Sequence, residues 1–404
     1  MIKKIFALLL LPPFILILSA FLSKTLIASY DADIYRQAEV IAEIQDKILT
    51  SYVEKIDQKK LFKGAIRGMI SSLDPYSEFL DKETLKSVYE STEGEFVGIG
   101  IVINIEDGVL KIISPILGSP AAKAGVMAGD KILKIGNKSA KGITLGQAIK
   151  LLRGKKNTKV ILTVEHENTK EKENFTIIRD TIQIPSIENV KILNKKAGIG
   201  YIQLTRFNTH TGSELSANIK ELLKKNMKAL IIDLRFNPGG LLDASIDVVN
   251  SFVSEGIIVY TKGRTQKSHK VYRASKEKTF TKLPLVILVN KQSASASEIV
   301  AGALKDHSRA TIIGARTYGK GLVQRIIVLK DERTALKLTV ARYYTPSGTI
   351  IQKSEKNRGG IIPDIEVNLN KKEQEELMRR FYNLKQYEKM DKQLQKAVDF
   401  LKKL

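Results

Sequence analysis

Ser295 and Lys320 are the two residues of this chain whose types and settings are best suited to chemistry. Ser295 is the middle serine of Ser-Ala-Ser-Ala-Ser-Glu at residues 293–298, and Lys320 lies between two glycines within residues 317–324. A turn of small residues that enters a helix can expose a serine hydroxyl, and glycines allow a lysine to approach the backbone closely. Together the two side chains could act as a nucleophile and a general base.

Each of these residues also has a purely structural interpretation. Ser295 and Glu298 fit a capping box, in which the serine accepts from a helix amide and the glutamate reaches back. That role is compatible with a nucleophile, since exposed amides at a helix N-terminus stabilise negative charge. A lysine acts as a base only when it is neutral, and burial can lower its pKa by about 3–5 units from about 10.4. The alternative for Lys320 is a solvated surface cation.

Composition excludes several other chemistries. The chain has 404 residues, no cysteine and a formal net charge of +23. The lack of cysteine excludes a thiol nucleophile, disulfides and cysteine zinc sites. Lysines alternate with glutamates along the whole chain, so we expect a solvated basic surface beside anionic lipid and no nucleic-acid partner.

Histidine, the usual activator of serine, has little support as a partner of Ser295. The chain contains His166, His210, His269 and His307, and only His307 is near Ser295 in sequence. If both lie on one helix, twelve residues separate them by about 18 Å. A histidine triad is kept only as an alternative.

The N-terminus predicts export. Lys3 and Lys4 precede an apolar run from Ile5 to Leu22, which is typical of a signal peptide or an uncleaved membrane anchor within residues 1–30. The positive residues are expected to stay on the cytoplasmic side of the membrane. The rest of the chain is then expected outside the cytoplasm, either free in the periplasm or anchored to the inner membrane.

The remaining chain divides into four regions. Residues 31–84 have a helical pattern, and residues 85–168 consist of short β-rich segments. Residues 169–368 alternate strands and helices, which predicts a layered α/β core with sites at strand ends. Residues 369–404 form a charged amphipathic helical segment, for which packing or dimerisation is expected rather than chemistry. The two helical ends favour a homodimer.

The β-rich region resembles a PDZ domain of the bacterial, protease-associated type. The motifs that carry this resemblance are Gly98-Ile-Gly100-Ile101, Ser119-Pro-Ala-Ala122, Ala124-Gly-Val126, Gly129-Asp130 and Ile132. The alternative is a set of tight turns in any small β domain. In PDZ domains, backbone amides of the loop before the first core strand bind a peptide's terminal carboxylate, and the peptide adds as a strand. The resemblance places this loop at Phe96, Val97 and Gly98.

Six further segments resemble the carboxy-terminal processing peptidases, also called tail-specific serine proteases. They are Leu73-Asp-Pro-Tyr-Ser77, Asp233-Leu-Arg-Phe-Asn-Pro-Gly-Gly240, Val289-Asn-Lys-Gln-Ser-Ala-Ser-Ala-Ser-Glu-Ile299, Tyr318-Gly-Lys-Gly-Leu-Val-Gln324, Arg342-Tyr-Tyr-Thr-Pro-Ser-Gly348 and Gly360-Ile-Ile-Pro-Asp364. The resemblance covers essentially everything after the N-terminal segment. It implies a crotonase/ClpP-like layered α/β protease core with an inserted, mostly β PDZ domain and helical N- and C-terminal segments.

The resemblance also implies roles for individual residues. Ser295 matches the nucleophile and Lys320 the general base, because their separation of 25 residues fits the middle serine and not Ser293 or Ser297. Gln324 matches the residue that orients the lysine. Positions four apart on a strand face the same way, so Lys320 and Gln324 could face one site.

The Asn-Pro-Gly-Gly segment matches the oxyanion loop, with donors expected from the amides of Gly239 or Gly240 and of Ala296. The alternative is an ordinary strand-to-helix turn. Arg153, at the end of the second PDZ helix, is a candidate contact to the protease core that senses bound peptide; the alternative is a solvated helix-end cation.

The expected function is therefore an exported serine endopeptidase that needs no metal or cofactor and cleaves proteins near exposed, apolar C-termini. The alternatives are a PDZ scaffold on an inert core and a PDZ protease with a histidine triad.

Overall fold

The structure, a computed structural model, describes residues 33–106, 108–116, 118–279, 282–382 and 390–404. The chain divides into two units, Met1–Phe79 and Leu80–Leu404. The apolar run from Ile5 to Leu22 lies outside the described residues. Among the helices that are described, none has the length and apolar character needed to cross a membrane.

The part of the first unit that the structure describes, from residue 33 on, is mainly helical, as its sequence pattern predicts. Helix α1 spans residues 33–51 and helix α2 spans Gln58–Ser71, with Asp57 as its N-terminal cap. The turn predicted at residues 73–77 is formed because Asp74 Oδ1 accepts two backbone N–H groups of the turn at 2.8 Å each.

A helix and a strand precede the inserted domain, and the strand that follows the domain pairs with the strand before it. Strand β1 is Glu78–Leu80, and helix α3, Lys82–Glu93, ends where Gly94 adopts a left-handed conformation with φ +74°. Strand β2, Glu95–Gly98, pairs antiparallel with β9, Asp180–Gln183. The two connections of the inserted domain therefore lie side by side.

The inserted domain is an antiparallel sheet with two helices. Its elements are β3 (Ile101–Glu106), β4 (Val109–Pro115), α4 (Pro120–Lys123), β5 (Lys131–Ile135), β6 (Lys138–Ser139), α5 (Leu145–Leu152), β7 (Lys159–Glu165) and β8 (Lys172–Ile178). The strand order is β3-β4-β5-β7-β8, with β6 paired to β5, so β3 is an edge strand of this sheet. Ser119 caps α4 as predicted, and Thr144 caps α5. The domain extends beyond the boundary expected at residue 168, because β8 pairs with β7 along its whole length.

The α/β core is built on a mostly parallel sheet. Its strands are β10 (Ile187–Asn194), β11 (Ile199–Leu204), β12 (Ala229–Asp233), β15 (Leu285–Val289), β16 (Thr311–Gly314) and β19 (Ile365–Glu366), paired in that order, with only β10 antiparallel among them. Strands β11, β12 and β15 are buried along their whole length, which explains their continuous apolar sequences.

Helices cover both faces of this sheet. Ile202 and Ile232 belong to a core that includes residues of α6 (Thr211–Lys224), α7 (Leu242–Asn250) and α8 (Ala296–Asp306). Tyr201 and Ile231, one position earlier on their strands, pack with α10 (Lys392–Leu401) on the other face. This alternation with a period of two produces the layered α/β core that was predicted, and the fold class is confirmed.

A second, antiparallel sheet lies within the same unit. It contains β13 (Ile257–Gly263), β14 (Lys270–Arg273), β17 (Leu322–Val328) and β18 (Ala335–Tyr344). Two short 3₁₀ turns, Gln266–Ser268 and Lys276–Lys278, flank β14, and helix α9 spans Lys371–Tyr382.

A buried ion network joins helix α10 to the residues that follow β12. Arg235 donates to Asp233 at 2.7–3.0 Å and to Asp391 at 2.7 Å, and Asp391 also caps α10. Tyr201 donates its hydroxyl to Asp233 at 2.8 Å. Burial lowers the pKa of Arg235, but the charges of Asp233 and Asp391 outweigh it and hold that pKa well above its usual range. Arg235 lies two residues before Asn237, the first residue of the Asn-Pro-Gly-Gly segment. Helix α10 therefore also holds the chain that leads into this segment, in addition to covering the sheet.

Removal of Asp391 tests this network. Asp391→Ala leaves part of the Arg235 charge uncompensated and removes a helix cap, so we expect the free energy of unfolding to fall by about 3 kcal/mol. Urea unfolding followed by circular dichroism measures this loss. The control is Asp399→Ala on the same helix, whose exposed pair with Lys402 at 3.8 Å should matter by less than about 1 kcal/mol. Equal losses in the two variants would contradict the role given to Asp391.

Candidate active site

Three loops that follow parallel strands of the core meet at one cavity of about 1330 Å³. The loop after β12 carries Gly239 and Gly240, the loop after β15 carries Ser295, and the loop after β16 carries Lys320. These four residues and Gln324 all line the cavity. The carboxyl ends of parallel strands share one edge of a sheet, so residues that are distant in sequence meet there.

Ser295 is held in a strained conformation at the start of α8. Its φ of +58° and ψ of −115° are rare for a residue with a Cβ atom. The Ala296 amide follows at the first turn of the helix, where an N–H group has no partner within the helix. Ser295 Oγ accepts a hydrogen bond from the hydroxyl of Tyr343 at 2.8 Å. The strain therefore coincides with the predicted nucleophile.

The two neighbouring serines are committed to the backbone. Ser293 Oγ donates to Leu234 O at 2.8 Å, and Ser297 Oγ donates to Asn237 O at 3.0 Å; both serines are fully buried. Among the three serines of the segment, only Ser295 lines the cavity. The choice of the middle serine thus has a structural basis.

The carboxylate of Glu298 binds the backbone of both candidate residues. Its Oε2 accepts from the amides of Ser295 and Lys320, each at 2.8 Å. Its Oε1 accepts from the Thr317 hydroxyl and the Gly319 amide, each at 2.6 Å. Burial raises the pKa of Glu298, and these hydrogen bonds oppose that rise. One buried side chain therefore sets the distance between the two loops.

The Lys320 amine lies in an environment that favours its neutral form. Burial lowers the pKa of Lys320, and the charge of Lys337 lowers it further. Tyr318 and Glu298 act in the opposite direction but are the smaller influences. The direction of the shift is the one that a lysine base requires.

Gln324 lines the same cavity, but the geometric reason given from the sequence is wrong. Lys320 lies in the loop before β17, which begins at Leu322, and the pairing of β17 with β18 has an irregularity between Val323 and Gln324. The side-chain amide of Gln324 donates to Thr339 Oγ1 at 3.4 Å. The rule that positions four apart face the same way does not apply across a loop and a bulge.

The Asn-Pro-Gly-Gly loop lies directly against Ser295. A Cβ atom at Gly239, whose φ is +101°, would lie 2.8 Å from Ser295 Cβ and 2.9 Å from Ala296 N. At Gly240, whose φ is +150°, it would lie 2.0 Å from a backbone oxygen. Both positions therefore require glycine. The Gly239 amide donates to Asn237 Oδ1 at 2.9 Å.

The three residues predicted to form a carboxylate-binding loop lie in a strand. Phe96, Val97 and Gly98 belong to β2, where they pair with β9, because the chain returns from the inserted domain beside them. The turn that directly precedes β3 is Ile99 and Gly100, and Gly100 has φ +76°. The loop predicted at Phe96–Gly98 is therefore corrected to a paired strand, and its role in binding a carboxylate stays a prediction.

Arg153 is positioned by helix α3 and strand β2. It forms an ion pair with Glu90 of α3, and its guanidinium lies 4.6 Å from the centre of the Phe96 ring. Among the described contacts, none of its ion pairs or ring contacts reaches the α/β core. The expected contact with that core is corrected to a contact with α3, because α5 ends at Leu152 and turns Arg153 toward Phe96.

The histidines lie elsewhere. His166 is in the inserted domain, bonded to Asp130 at 2.9 Å, and His210 precedes α6. His269 and His307 contact backbone oxygens at 3.0 and 2.7 Å. No histidine is present among the described residues that line the cavity, so the structure gives a histidine triad no support.

The sequence did not single out Tyr343 or the second function of Glu298. Tyr343 lies in the segment at residues 342–348 that supported the family resemblance. Which of its two tyrosines faces Ser295 depends on the pairing of β18 with β17, and local sequence does not specify that pairing. For Glu298, the capping box predicted the bond to the Ser295 amide but not the bonds to residues 317–320.

Comparisons with known proteins agree with this architecture. The family model described as peptidase family S41 matches residues 198–367, the activating protease CtpB N-terminal domain matches residues 24–84, and a PDZ domain matches residues 111–166. A carboxy-terminal-processing protease of Bartonella bacilliformis is 42% identical over 350 residues, which cover 86% of this chain and 78% of that protein.

Two further proteins are similar. The carboxy-terminal processing protease CtpA of Bacillus subtilis is 42% identical over 325 residues, covering 80% of this chain and 67% of that protein. The solved structure of a photosystem II D1 C-terminal processing protease is 31% identical and covers 81% of this chain and 86% of that chain, with a TM-score of 0.46.

The fold and these similarities define a serine-type peptidase that carries a PDZ domain. The chain belongs to peptidase family S41, and within it to the carboxy-terminal processing proteases. The predicted family and enzyme class are confirmed.

Substitution of Glu298 tests its role in the site. In Glu298→Gln, an NH₂ group replaces one oxygen and faces two backbone or hydroxyl donors, so in either orientation of the amide two of the four contacts between Glu298 and the two loops lose their acceptor. We expect kcat for peptide hydrolysis to fall at least about 10-fold, since hydrogen bonds to charged groups are worth about 1.5–3 kcal/mol each. The control is Glu255→Gln at an exposed position, which should leave kcat unchanged. Wild-type kcat in Glu298→Gln would contradict the role.

Proposed function

We propose that this protein is a serine endopeptidase that cleaves proteins near their C-termini, with Ser295 as nucleophile and Lys320 as general base. One observation carries the proposal: the buried Glu298 carboxylate binds the amides of both residues, while their side chains line one cavity. This arrangement provides a serine hydroxyl, a lysine amine and helix N-terminal donors in one place.

Lys320 accepts the serine proton only in its neutral form. Burial and the charge of Lys337 lower the pKa of Lys320, which increases the neutral fraction at any given pH. In the proposal, Gln324 orients the Lys320 amine from the wall of the same cavity.

The oxyanion donors are the amides of Gly240 and Ala296. The Gly239 amide already donates to Asn237, so in the proposal Gly239 provides the close approach to Ser295 rather than a donor. The Ala296 amide lies at the N-terminus of α8, where the helix dipole also favours negative charge. Two backbone donors of this kind stabilise a tetrahedral oxyanion.

The reaction then has two steps. Lys320 takes the Ser295 proton as Oγ attacks a peptide carbonyl, and the protonated lysine gives its proton to the leaving amine when the C–N bond breaks. Water, deprotonated by Lys320, attacks the acyl-enzyme and releases Ser295.

Loss of either proposed catalytic side chain should abolish turnover. Ser295→Ala and Lys320→Ala are each expected to lower kcat by at least about 10³-fold, because residues of one catalytic unit fail together. The measurement is cleavage of a peptide with a free apolar C-terminus by the full chain. Cleavage that survives in both variants would rule out the pair, whereas binding without cleavage in the unaltered protein would favour a scaffold.

The pH dependence reports the state of Lys320. Because the base acts when deprotonated, kcat/KM should rise with pH through the lowered pKa of Lys320. Lys337→Gln removes a charge that lowers this pKa, so the rise should move to higher pH. The control Lys291→Gln, at an exposed position, should leave the profile in place. An unchanged profile in Lys337→Gln would contradict the assignment of the pH dependence to the deprotonation of Lys320.

We further propose that the PDZ domain binds the substrate's free C-terminus. Strand β3 is an edge strand, so an extended peptide can add beside it. The turn at Ile99 and Gly100 lies at the start of this edge and offers amides to a carboxylate. Val102 and Ile113 of the same domain line the catalytic cavity, so a bound tail would continue toward Ser295.

Peptide chemistry and Arg153 test this proposal together. Amidation of the substrate's C-terminus removes the carboxylate and should raise KM at least about 10-fold, as expected for a lost charge-assisted hydrogen bond.

Arg153→Ala should remove the stimulation of turnover by a separate tail peptide, if the contact with Glu90 and Phe96 transmits binding. The control Lys150→Ala, on the same helix and in an exposed pair with Glu83, should retain stimulation. Unchanged stimulation in Arg153→Ala would remove Arg153 from the mechanism.

Export, membrane attachment and dimerisation complete the proposal. The basic and then apolar start of the chain supports export to the periplasm or an inner-membrane anchor, and the mature N-terminus distinguishes the two. Val40, Ile41 and Ile44 are exposed on α1, which supports a homodimer through the N-terminal helices. Analytical ultracentrifugation of the full chain tests that assembly.

A further inference from the structure

Tyr343 is the one described side chain bonded to the oxygen that would attack the substrate. Its hydroxyl donates to Ser295 Oγ at 2.8 Å, and its side chain lines the catalytic cavity. Tyr343 is only 3% exposed, whereas Ser295 is partly exposed, so this hydrogen bond is partly shielded from water. Hydrogen bonds of this kind are stronger in a low-dielectric site.

The position of Tyr343 is fixed by the strand that also holds the Lys320 turn. The Tyr343 amide donates to Gly321 O at 3.0 Å, and the adjacent Arg342 pairs with Leu322 at the start of β17. The ring itself is part of the main hydrophobic core. Tyr343 thus reaches the Ser295 hydroxyl from the same backbone segment that positions Lys320.

We propose that Tyr343 is a further catalytic residue, a hydrogen-bond donor that stabilises negative charge on Ser295 Oγ. This inference rests on the proposed role of Ser295 as nucleophile. A serine hydroxyl has one proton and two acceptor lone pairs. Tyr343 occupies one lone pair, which leaves the proton of Ser295 available to Lys320.

The same donor acts in both halves of the reaction. During acylation, Oγ gains charge as its proton moves to Lys320 and the bond to the substrate carbon forms. During deacylation, Oγ is the leaving atom and gains charge again as that bond breaks, until Lys320 returns the proton. A hydroxyl donor binds an ionised oxygen more strongly than a neutral one, so the contact favours each transition state over the resting state. Tyr343 keeps its own proton throughout.

The test is Tyr343→Phe in the full chain, which removes only the hydroxyl. For a peptide substrate, we expect kcat to fall about 10- to 100-fold with KM changed less than about twofold, as for one lost hydrogen bond to a charged group. With an activated ester substrate, the steady-state rate after the burst should fall as well, because deacylation needs the same donor. A purely structural role would lower the amount of active enzyme and not the deacylation rate per active site. Rates are therefore expressed per site titrated by a fluorophosphonate probe.

The matched control is Tyr344→Phe, since that ring stacks on Tyr260 at 5.2 Å. It should retain wild-type rates within about twofold. Wild-type or faster turnover in Tyr343→Phe would overturn the proposal; faster turnover would mean that the bond restrains Ser295. Ser295→Ala, assayed in parallel, separates the two levels of inference. Activity that survives in Ser295→Ala contradicts the proposed nucleophile, whereas an inactive Ser295→Ala with a fully active Tyr343→Phe contradicts only the role of Tyr343.

Discussion

The buried carboxylate of Glu298 is the contact on which the geometry of the site depends. Ser295 and Lys320 lie on loops that are separated in sequence by a helix and a strand, and loops of this kind lose about 1–2 kcal/mol of backbone entropy per residue when ordered. Glu298 accepts from both loops, and four donors converge on its two oxygens. Because a carboxylate has about four acceptor positions, the group is fully used, and its geometry leaves little freedom to either loop.

This arrangement creates an electrostatic conflict that the fold resolves. A carboxylate near a lysine favours the charged lysine, which opposes the proposed use of Lys320 as a base. The effect of Glu298 on the pKa of Lys320 is nevertheless the smallest of those acting, below burial and the charge of Lys337. The four donors direct their positive ends at the carboxylate and thereby weaken its field at the amine. The same group can then hold the Lys320 backbone without holding a proton on its side chain.

Local sequence predicted which residues belong to the site better than it predicted the contacts between them. Ser295 at a helix start and the glycines of the Asn-Pro-Gly-Gly loop follow from short-range rules about caps and backbone freedom. The arguments that failed concern longer range. Gln324 faces the cavity across a bulge that no local pattern indicates, and Phe96 joins a strand because its partner, residues 180–183, returns beside it. Tyr343 is of the same kind, because its alignment with Ser295 depends on how two strands pair.

The backbone of the Gly239-Gly240 segment must be positioned by its neighbours, because glycines have no side chains that could anchor the segment by packing. An oxyanion site works only if its donors are in place before charge develops, since reorganisation during the reaction would cost the stabilisation gained. The neighbours of the glycines meet this need from three layers of the fold. Asn237 donates to Leu204 O at 2.7 Å in the sheet, and Arg235 is bound by Asp391 at the start of α10. The Phe236 ring packs against the tilted ring of Phe381 of α9, with 4.7 Å between the ring centres. Phe236 itself has φ +61°, a conformation that persists only when its surroundings impose it. The helical C-terminal segment, for which the sequence predicted packing or dimerisation, therefore forms part of the structure that holds the proposed oxyanion loop.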